Sequence, residues 1–76
     1  MSQIKIQEFI IAEVKVNHLS HLRKGQTIKA RVQRSFEKWT KFLTDRGYSE
    51  WDAEVIFNDA HDMAVLELRC EAAANI

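Results

Sequence analysis

Residues 27–46 read TIKARVQRSFEKWTKFLTDR, and this segment decides the fold that the sequence predicts. At 100° per residue its apolar side chains fall within one arc of about 120°, the pattern of an amphipathic helix. They are Ile28, Val32, Phe36, Trp39, Phe42 and Leu43. Thr27 is a suitable N-cap, and Gly47 is a suitable residue just past the C-terminus. The sequence therefore predicts one helix over residues 27–46.

A second interpretation of the same segment stays open. Ile28, Ala30 and Val32 also alternate with polar residues, as in a half-buried strand. The helix would then begin later, at a Ser35 cap. This alternative adds one strand to the fold.

The flanking segments alternate in the manner of strands. Within residues 3–17, every second residue from Ile10 to Val16 is apolar, as on one side of a strand. The alternation is broken before Ile10, and either a bulge near Gln7 and Glu8 or a strand that starts later would explain the break. Two more alternating runs, 51–57 and 64–70, flank a polar segment at 58–62 that is rich in Asn and Asp. Such a pair of runs predicts a β-hairpin.

The predicted fold is a single α+β domain over residues 1–76. Its order is β-α-β-β, a three-stranded sheet with the long helix on one face, and the alternative is ββαββ. The other face of that sheet would lack a cover and would carry Ile11, Ile56 and Val65, rimmed by Glu54 and Glu67. Exposed apolar residues on one face predict a protein-binding surface. A homodimer is the economical way for so small a domain to cover it.

Bulk properties place the chain in the cytoplasm. It has 76 residues and no proline. Because it has a single cysteine, a disulfide framework is excluded. The N-terminal segment lacks the basic start of a signal peptide, and no apolar run is long enough for a membrane span.

The net charge is zero, but its distribution is uneven. Residues 1–48 hold ten bases and four acids, and residues 49–76 hold one base and seven acids. On the predicted helix the bases Arg31, Arg34, Lys38 and Lys41 share one flank, with Arg23, Lys24 and Lys29 near its start. Such a row can follow a phosphate backbone, which makes a nucleic-acid-binding accessory protein the alternative function. A row of this kind is also an ordinary solvated helix face.

No catalytic or metal site is predicted. The histidines His18, His21 and His61 and the single thiol of Cys70 have no spacing that brings four ligands together. His61 and Asp62 lie in the predicted hairpin turn, which offers no pocket for acid–base chemistry. Cys70 is expected to face inward on its strand.

The predicted element order resembles that of the dodecins, small flavin-storing proteins. They use a strand, a helix and two strands, with a tryptophan just ahead of the second strand. Trp51 is the residue of this chain that matches that tryptophan. The resemblance covers the topology only, and it implies a small-ligand binder in which Trp51 stacks on a flavin. The residues themselves call for no cofactor.

Together these features predict a non-enzymatic binding or regulatory protein. It would act as an inhibitor by occlusion, with apolar anchors in the centre of the contact and charges that steer the approach.

Overall fold

The computed structural model describes residues 2–19 and 25–74, and these residues form three α-helices. Helix α1 spans Gln3–Leu19, α2 spans Ile28–Asp45 and α3 spans Glu50–Ala74. No strand occurs within the two described ranges. The α+β prediction is therefore wrong, both as the β-α-β-β sheet and as the ββαββ alternative.

The predicted central helix is the part that the structure confirms. Helix α2 covers all but the ends of residues 27–46, so the strand alternative for its first turns is excluded. Thr27 has an extended backbone, and its hydroxyl oxygen accepts a hydrogen bond of 3.0 Å from the Ala30 N–H. This is the predicted N-cap.

The end of α2 is closed by a Schellman motif. Gly47 has a φ of +98°, which an L-residue rarely adopts. Its N–H donates to the carbonyl of Thr44 at 3.0 Å, and the Tyr48 N–H donates to the carbonyl of Leu43 at 3.1 Å. These two bonds satisfy carbonyls that the helix leaves without a partner and turn the chain back toward α3.

Residues 3–17, predicted as a strand, belong to helix α1. The Ser2 hydroxyl accepts a bond of 3.3 Å from the Lys5 N–H, and the Ser2 carbonyl accepts from Ile6 N–H at 3.1 Å. The buried residues are four apart and therefore lie on one helical face. They are Ile6, Ile10 and Val14.

The predicted hairpin is also helical, as a single element of 25 residues. Ser49 caps it, because its hydroxyl accepts from the Asp52 N–H at 3.0 Å and its carbonyl accepts from the Ala53 N–H at 2.9 Å. The segment 58–62, predicted as a turn, continues the helix and presents Asn58, Asp59 and Asp62 to solvent. Cys70 is exposed rather than inward-facing.

The helices run up, down and up around one core. Glu13 of α1 meets Trp39 of α2, and Asn17 meets Ser35, so these two helices are antiparallel. Helix α3 is antiparallel to α2 and parallel to α1. The core is made mostly of aliphatic and small side chains. It consists of Ile6, Ile10, Val14, Leu43, Ala53, Ile56, Phe57, Ala60 and Ala64.

Candidate protein-interaction surface

Helix α1 carries a second row of apolar side chains on the face that points away from the core. The row follows spacings of 3, 4 and 3, which keep its members on one side of a helix. It consists of Phe9, Ala12, Val16 and Leu19, and we call it the α1 stripe. The buried row of the same helix lies on the opposite side, so α1 is apolar on two faces.

The α1 stripe is open to solvent. Phe9 is 52% exposed, Val16 is 59% exposed and Leu19 is 71% exposed. Ala12, in the middle of the stripe, is exposed as well. Spacings of 3 and 4 are those of the a and d positions in a coiled coil, where such side chains pack against a second helix.

The flank of α1 that faces α2 is closed by a polar cluster around Glu13. One carboxylate oxygen binds the Lys38 ammonium group, and the other accepts a hydrogen bond of 2.8 Å from Trp39 Nε1. Ser35 is buried beside them, accepts a bond of 2.8 Å from the Asn17 side chain, and donates to Glu13. These five side chains join α1 to α2 by a connected network.

The environment of Glu13 stabilises its charged form. Partial burial raises the pKa of this carboxyl. The hydrogen bonds from Lys38, Ser35 and Trp39, together with the charge of Lys38, more than offset that effect. The pKa of Glu13 therefore lies below its ordinary value.

The flank of α1 that faces α3 is closed by ion pairs. The Lys15 ammonium group lies 2.9 Å from a carboxylate oxygen of Glu67 and 3.0 Å from one of Glu71. Hydrogen bonds to these two carboxylates raise the pKa of Lys15. Within residues 2–19 and 25–74, Lys5 and Glu8 are the charged residues of α1 that form no ion pair.

The five residues predicted to form a partner-binding sheet face do not share an exposed surface. Ile56 is in the core, and Ile11 and Val65 are half-buried. Glu54 is exposed, and Glu67 is ion-paired within the chain. The sheet face that would have united them is absent from the described ranges. A binding role for any one of these residues stays a prediction.

The predicted basic row does lie along one flank of α2. Lys38 is engaged by Glu13, and Arg31 Nη2 donates to Gln26 Oε1 at 3.1 Å. Arg34 and Lys41 make no ion pair in the part of the chain that the structure describes. Arg23 and Lys24 lie outside the described residues. Nucleic-acid binding by this row stays a prediction.

Two of the histidines come together where α1 meets α3. The ring centroids of His18 and His61 are 6.0 Å apart, and His61 stacks on Phe57 at 6.3 Å. His18 Nε2 is buried and has no hydrogen-bond partner. Among the described residues, no three histidine, cysteine or acidic side chains are grouped so that they could hold a metal ion. His21 lies outside those residues.

Trp51 stands on the first turn of α3 and is 73% exposed. It does not precede a strand, because the segment that follows it is helical. The resemblance to the dodecins rested on the order strand, helix, strand, strand. With that order overturned, the flavin-stacking role implied for Trp51 has no structural basis.

The α1 stripe is the feature that the sequence interpretation missed. Its signal was present, because positions 9, 12, 16 and 19 follow heptad spacing. The alternating pattern from Ile10 to Val16 concealed this signal. Interpreted as a strand, that pattern places Ala12 and Val16 on the same side as Ile10 and Val14, whereas in the helix only Ile10 and Val14 are buried.

Comparison with known proteins adds no assignment. No protein-family model matches the chain, and neither the curated proteins nor the solved structures contain a match. Within the described ranges, none of the three helices combines the length and apolar character that crossing a membrane requires.

Proposed function

We propose that this chain is a non-enzymatic protein-interaction domain that works as a homodimer, with the α1 stripe as its contact surface. The observation that carries the proposal is the exposure of three large apolar side chains at coiled-coil spacing, on the face of α1 opposite the core. A surface helix normally presents polar side chains there. Glu13 and Lys15, the charged residues on its two flanks, are engaged by interactions within the chain, and Lys5 and Glu8 near its N-terminal end form no ion pair among the described residues.

The chain exposes more surface than a compact monomer of its mass. The chain exposes 5628 Å². A compact monomer of 8.9 kDa exposes about 4,800 Å². The excess of roughly 800 Å² includes the surface of the long helix α3 as well as that of the α1 stripe, and an interface of standard size buries about 800 Å² per partner. The radius of gyration of 13.2 Å also exceeds the value of about 11.4 Å for a compact chain of this length.

The energy of the stripe points to a reversible dimer. Burying the exposed fractions of Phe9, Val16 and Leu19 yields about 4 kcal/mol per protomer, and about 8 kcal/mol for both. Association costs about 4–15 kcal/mol in lost translational and rotational freedom. These terms are similar in size, so the dimer is expected to form and dissociate with protein concentration. Such an equilibrium suits a regulatory component.

A matched pair of variants tests the contact surface. Leu19 and Ile4 lie on the same helix and are equally exposed, at 71% and 70%. Leu19 belongs to the stripe, whereas Ile4 is directed toward the α3 side. In sedimentation equilibrium the wild type and Ile4→Lys should approach twice 8.9 kDa as concentration rises, and Leu19→Lys should remain near 8.9 kDa.

Two results would overturn the proposal. One is a wild-type chain that stays monomeric at the highest attainable concentration. The other is equal dimerisation of the two lysine variants, which would place the contact elsewhere. Circular dichroism of each variant checks that the helical content is unchanged.

A further inference from the structure

We infer that the outward face of α3 is a docking surface for a basic amphipathic helix of a partner protein. This surface is separate from the α1 stripe, so the inference does not rest on the proposed dimer. The face carries exposed apolar side chains in a row along the helix, with carboxylates on both sides of them. The apolar row supplies the centre of the contact, and the carboxylates select the charge of the partner.

The centre of the face is a row of apolar side chains parallel to the axis of α3. Trp51 is 73% exposed, Val55 is 40% exposed and Leu66 is 61% exposed. Spacings of 4 and 11 residues keep them within about 60° of one another around the helix. Asn58 and Asp62 lie in the same row and are exposed as well, and we call the whole set the α3 row. Its length is about 22 Å, because an α-helix rises 1.5 Å per residue.

Carboxylates flank the α3 row on both sides. Glu50 and Glu54 lie on the side of α2, because they line one cleft together with residues of that helix. Asp52 lies on the side of α1, because it lines another cleft together with Gln3. Asp59 follows two helical turns later on the side of Asp52. All four carboxylates are exposed, so a partner can reach them.

The four flanking carboxylates are available to a partner because none of them forms an ion pair among the described residues. Lys41 of α2 lines the same cleft as Glu50 and Glu54 but pairs with neither. Glu50 and Glu54 are four residues apart, and like charges at this spacing repel each other. Arg69 is the single base of α3 against seven acids, although the whole chain is neutral. The negative field is therefore concentrated on this helix, and cations of a partner would relieve the repulsion.

The pattern of the face determines its occupant. A straight apolar row about four turns long matches the apolar side of a second helix. Carboxylates on both sides of the row are complementary to lysine or arginine on both sides of that apolar stripe. The ring of Trp51 can also hold a cation over its face. A nucleic acid, or the same face of a second copy, is repelled because it is negative too.

The docking surface and the α1 stripe lie on different sides of the domain. Val16 of the stripe lines a cleft with Arg34 and Lys38, so the stripe is next to α2. The α3 row points away from both neighbouring helices, because the buried residues of α3 lie on its other side. A partner helix on α3 and a second copy on α1 therefore do not compete, and docking does not require the dimer.

Fluorescence anisotropy with a labelled synthetic peptide tests the surface. The probe is a helix-forming peptide of leucine and lysine with its leucines on one face, and about 18 residues are enough to cover the α3 row. One comparison peptide has glutamate in place of every lysine, and another has serine in place of every leucine. The leucine–lysine peptide should bind, the glutamate peptide should not bind, and the serine peptide should bind more weakly because it lacks the apolar contact.

Asp59→Lys and Asp45→Lys form a matched pair of variants. Both replace an exposed aspartate by lysine, but Asp59 flanks the α3 row, whereas Asp45 ends α2. Reversing a charge removes one attraction and adds one repulsion, each of about threefold in affinity at a distance of ~6 Å in water. At an ionic strength of about 10 mM, Asp59→Lys should therefore weaken binding about tenfold, and Asp45→Lys by less than about twofold. Trp51→Ser should weaken it at least about fivefold, because it removes the largest apolar anchor.

These losses with Asp59→Lys and Trp51→Ser, in variants whose circular dichroism is unchanged, support the inference. It is overturned if the leucine–lysine peptide does not bind, if the serine peptide binds equally well, or if the two aspartate variants behave alike. Leu19→Lys separates this surface from the proposed dimer, because it should abolish the dimer and leave peptide binding intact. Loss of peptide binding in Leu19→Lys would place the peptide on the α1 stripe and overturn the inference.

Discussion

Glu13→Gln changes the residue at the centre of the hydrogen-bond network that joins α1 to α2. Its effect on the stability of the chain can be worked out from the structure. Glutamine keeps an oxygen that can accept from Trp39 or Ser35, so the shape of the site is retained. It loses the negative charge that makes these bonds charge-assisted and that pairs with Lys38. A hydrogen bond to a charged group contributes about 1 kcal/mol more than one between neutral groups.

The expected loss is about 1.5–2 kcal/mol at pH 7. Two weakened hydrogen bonds contribute about 2 kcal/mol, and the pair with Lys38 adds under 1 kcal/mol because the lysine is largely exposed. The sum of these two contributions is reduced because 28% of the Glu13 side chain is exposed to solvent, which weakens its electrostatic interactions. A domain of 76 residues has about 4–11 kcal/mol of stability in all. The loss therefore lowers the melting temperature by about 6–16 °C.

The pH dependence gives a second, independent readout. The pKa of Glu13 is lower in the folded chain than its ordinary value of 4.5. Its contribution is therefore complete above pH 4.5 and is lost as the pH falls through the folded pKa. The wild type should lose stability over this acid range, and Glu13→Gln should lose less. The two melting temperatures should approach each other as the pH is lowered.

Thermal denaturation followed by circular dichroism between pH 3 and pH 7 measures both effects. Glu37→Gln is the control, because Glu37 is exposed on α2 and, among the described residues, its carboxylate accepts a hydrogen bond only from Gln33, at 3.3 Å. It should change the stability by less than about 0.5 kcal/mol. The reasoning is refuted if Glu13→Gln melts with the wild type at pH 7, or if their difference is constant down to pH 3.

Two further substitutions test the elements that orient the helices. Gly47→Ala should destabilise the chain by about 1–2 kcal/mol, measured by urea denaturation, because alanine disfavours a φ of +98° although no atom lies within 4 Å of the added methyl group; an unchanged midpoint would contradict this role for the turn. Trp39→Phe removes the Nε1 donor to Glu13 and should cost about 1–2 kcal/mol, with a smaller effect in the Glu13→Gln background. Equal effects in the two backgrounds would mean that the indole acts through packing alone.

The sequence predicted α2 and its caps because that helix is amphipathic in the simplest sense. Its apolar residues occupy one arc, and its bases and acids occupy the rest. Thr27 marks its start through the side-chain hydroxyl, and Gly47 marks its end through a positive φ. Nothing in this segment required knowledge of the neighbouring helices.

Helix α3 was mistaken for a hairpin because a run of polar residues interrupts it. Asn58, Asp59 and Asp62 are turn-forming side chains, but here they lie on the exposed side of a continuous helix. Besides Ile56, four residues of α3 are buried and follow spacings of 4, 3 and 4, namely Ala53, Phe57, Ala60 and Ala64. Three of the four are alanine, which carries little weight in a hydrophobic pattern. Ser49 with an acid three residues later was the N-cap signal that favoured a helix.

The apolar residues of α1 do not follow a clear helical period, and the reason bears on function. A helix buried on one side has apolar residues on one arc, whereas a helix buried on several sides has them all round and loses that period. In α1 the row of Ile6, Ile10 and Val14 meets the core, and the α1 stripe faces the opposite way. An alternating pattern then emerges by coincidence from the two rows. The weak period of α1 thus reflects a helix with two apolar faces, of which the monomer covers one. The proposed dimer would cover the other through the α1 stripe, and the sequence pattern of α1 is what such a contact requires.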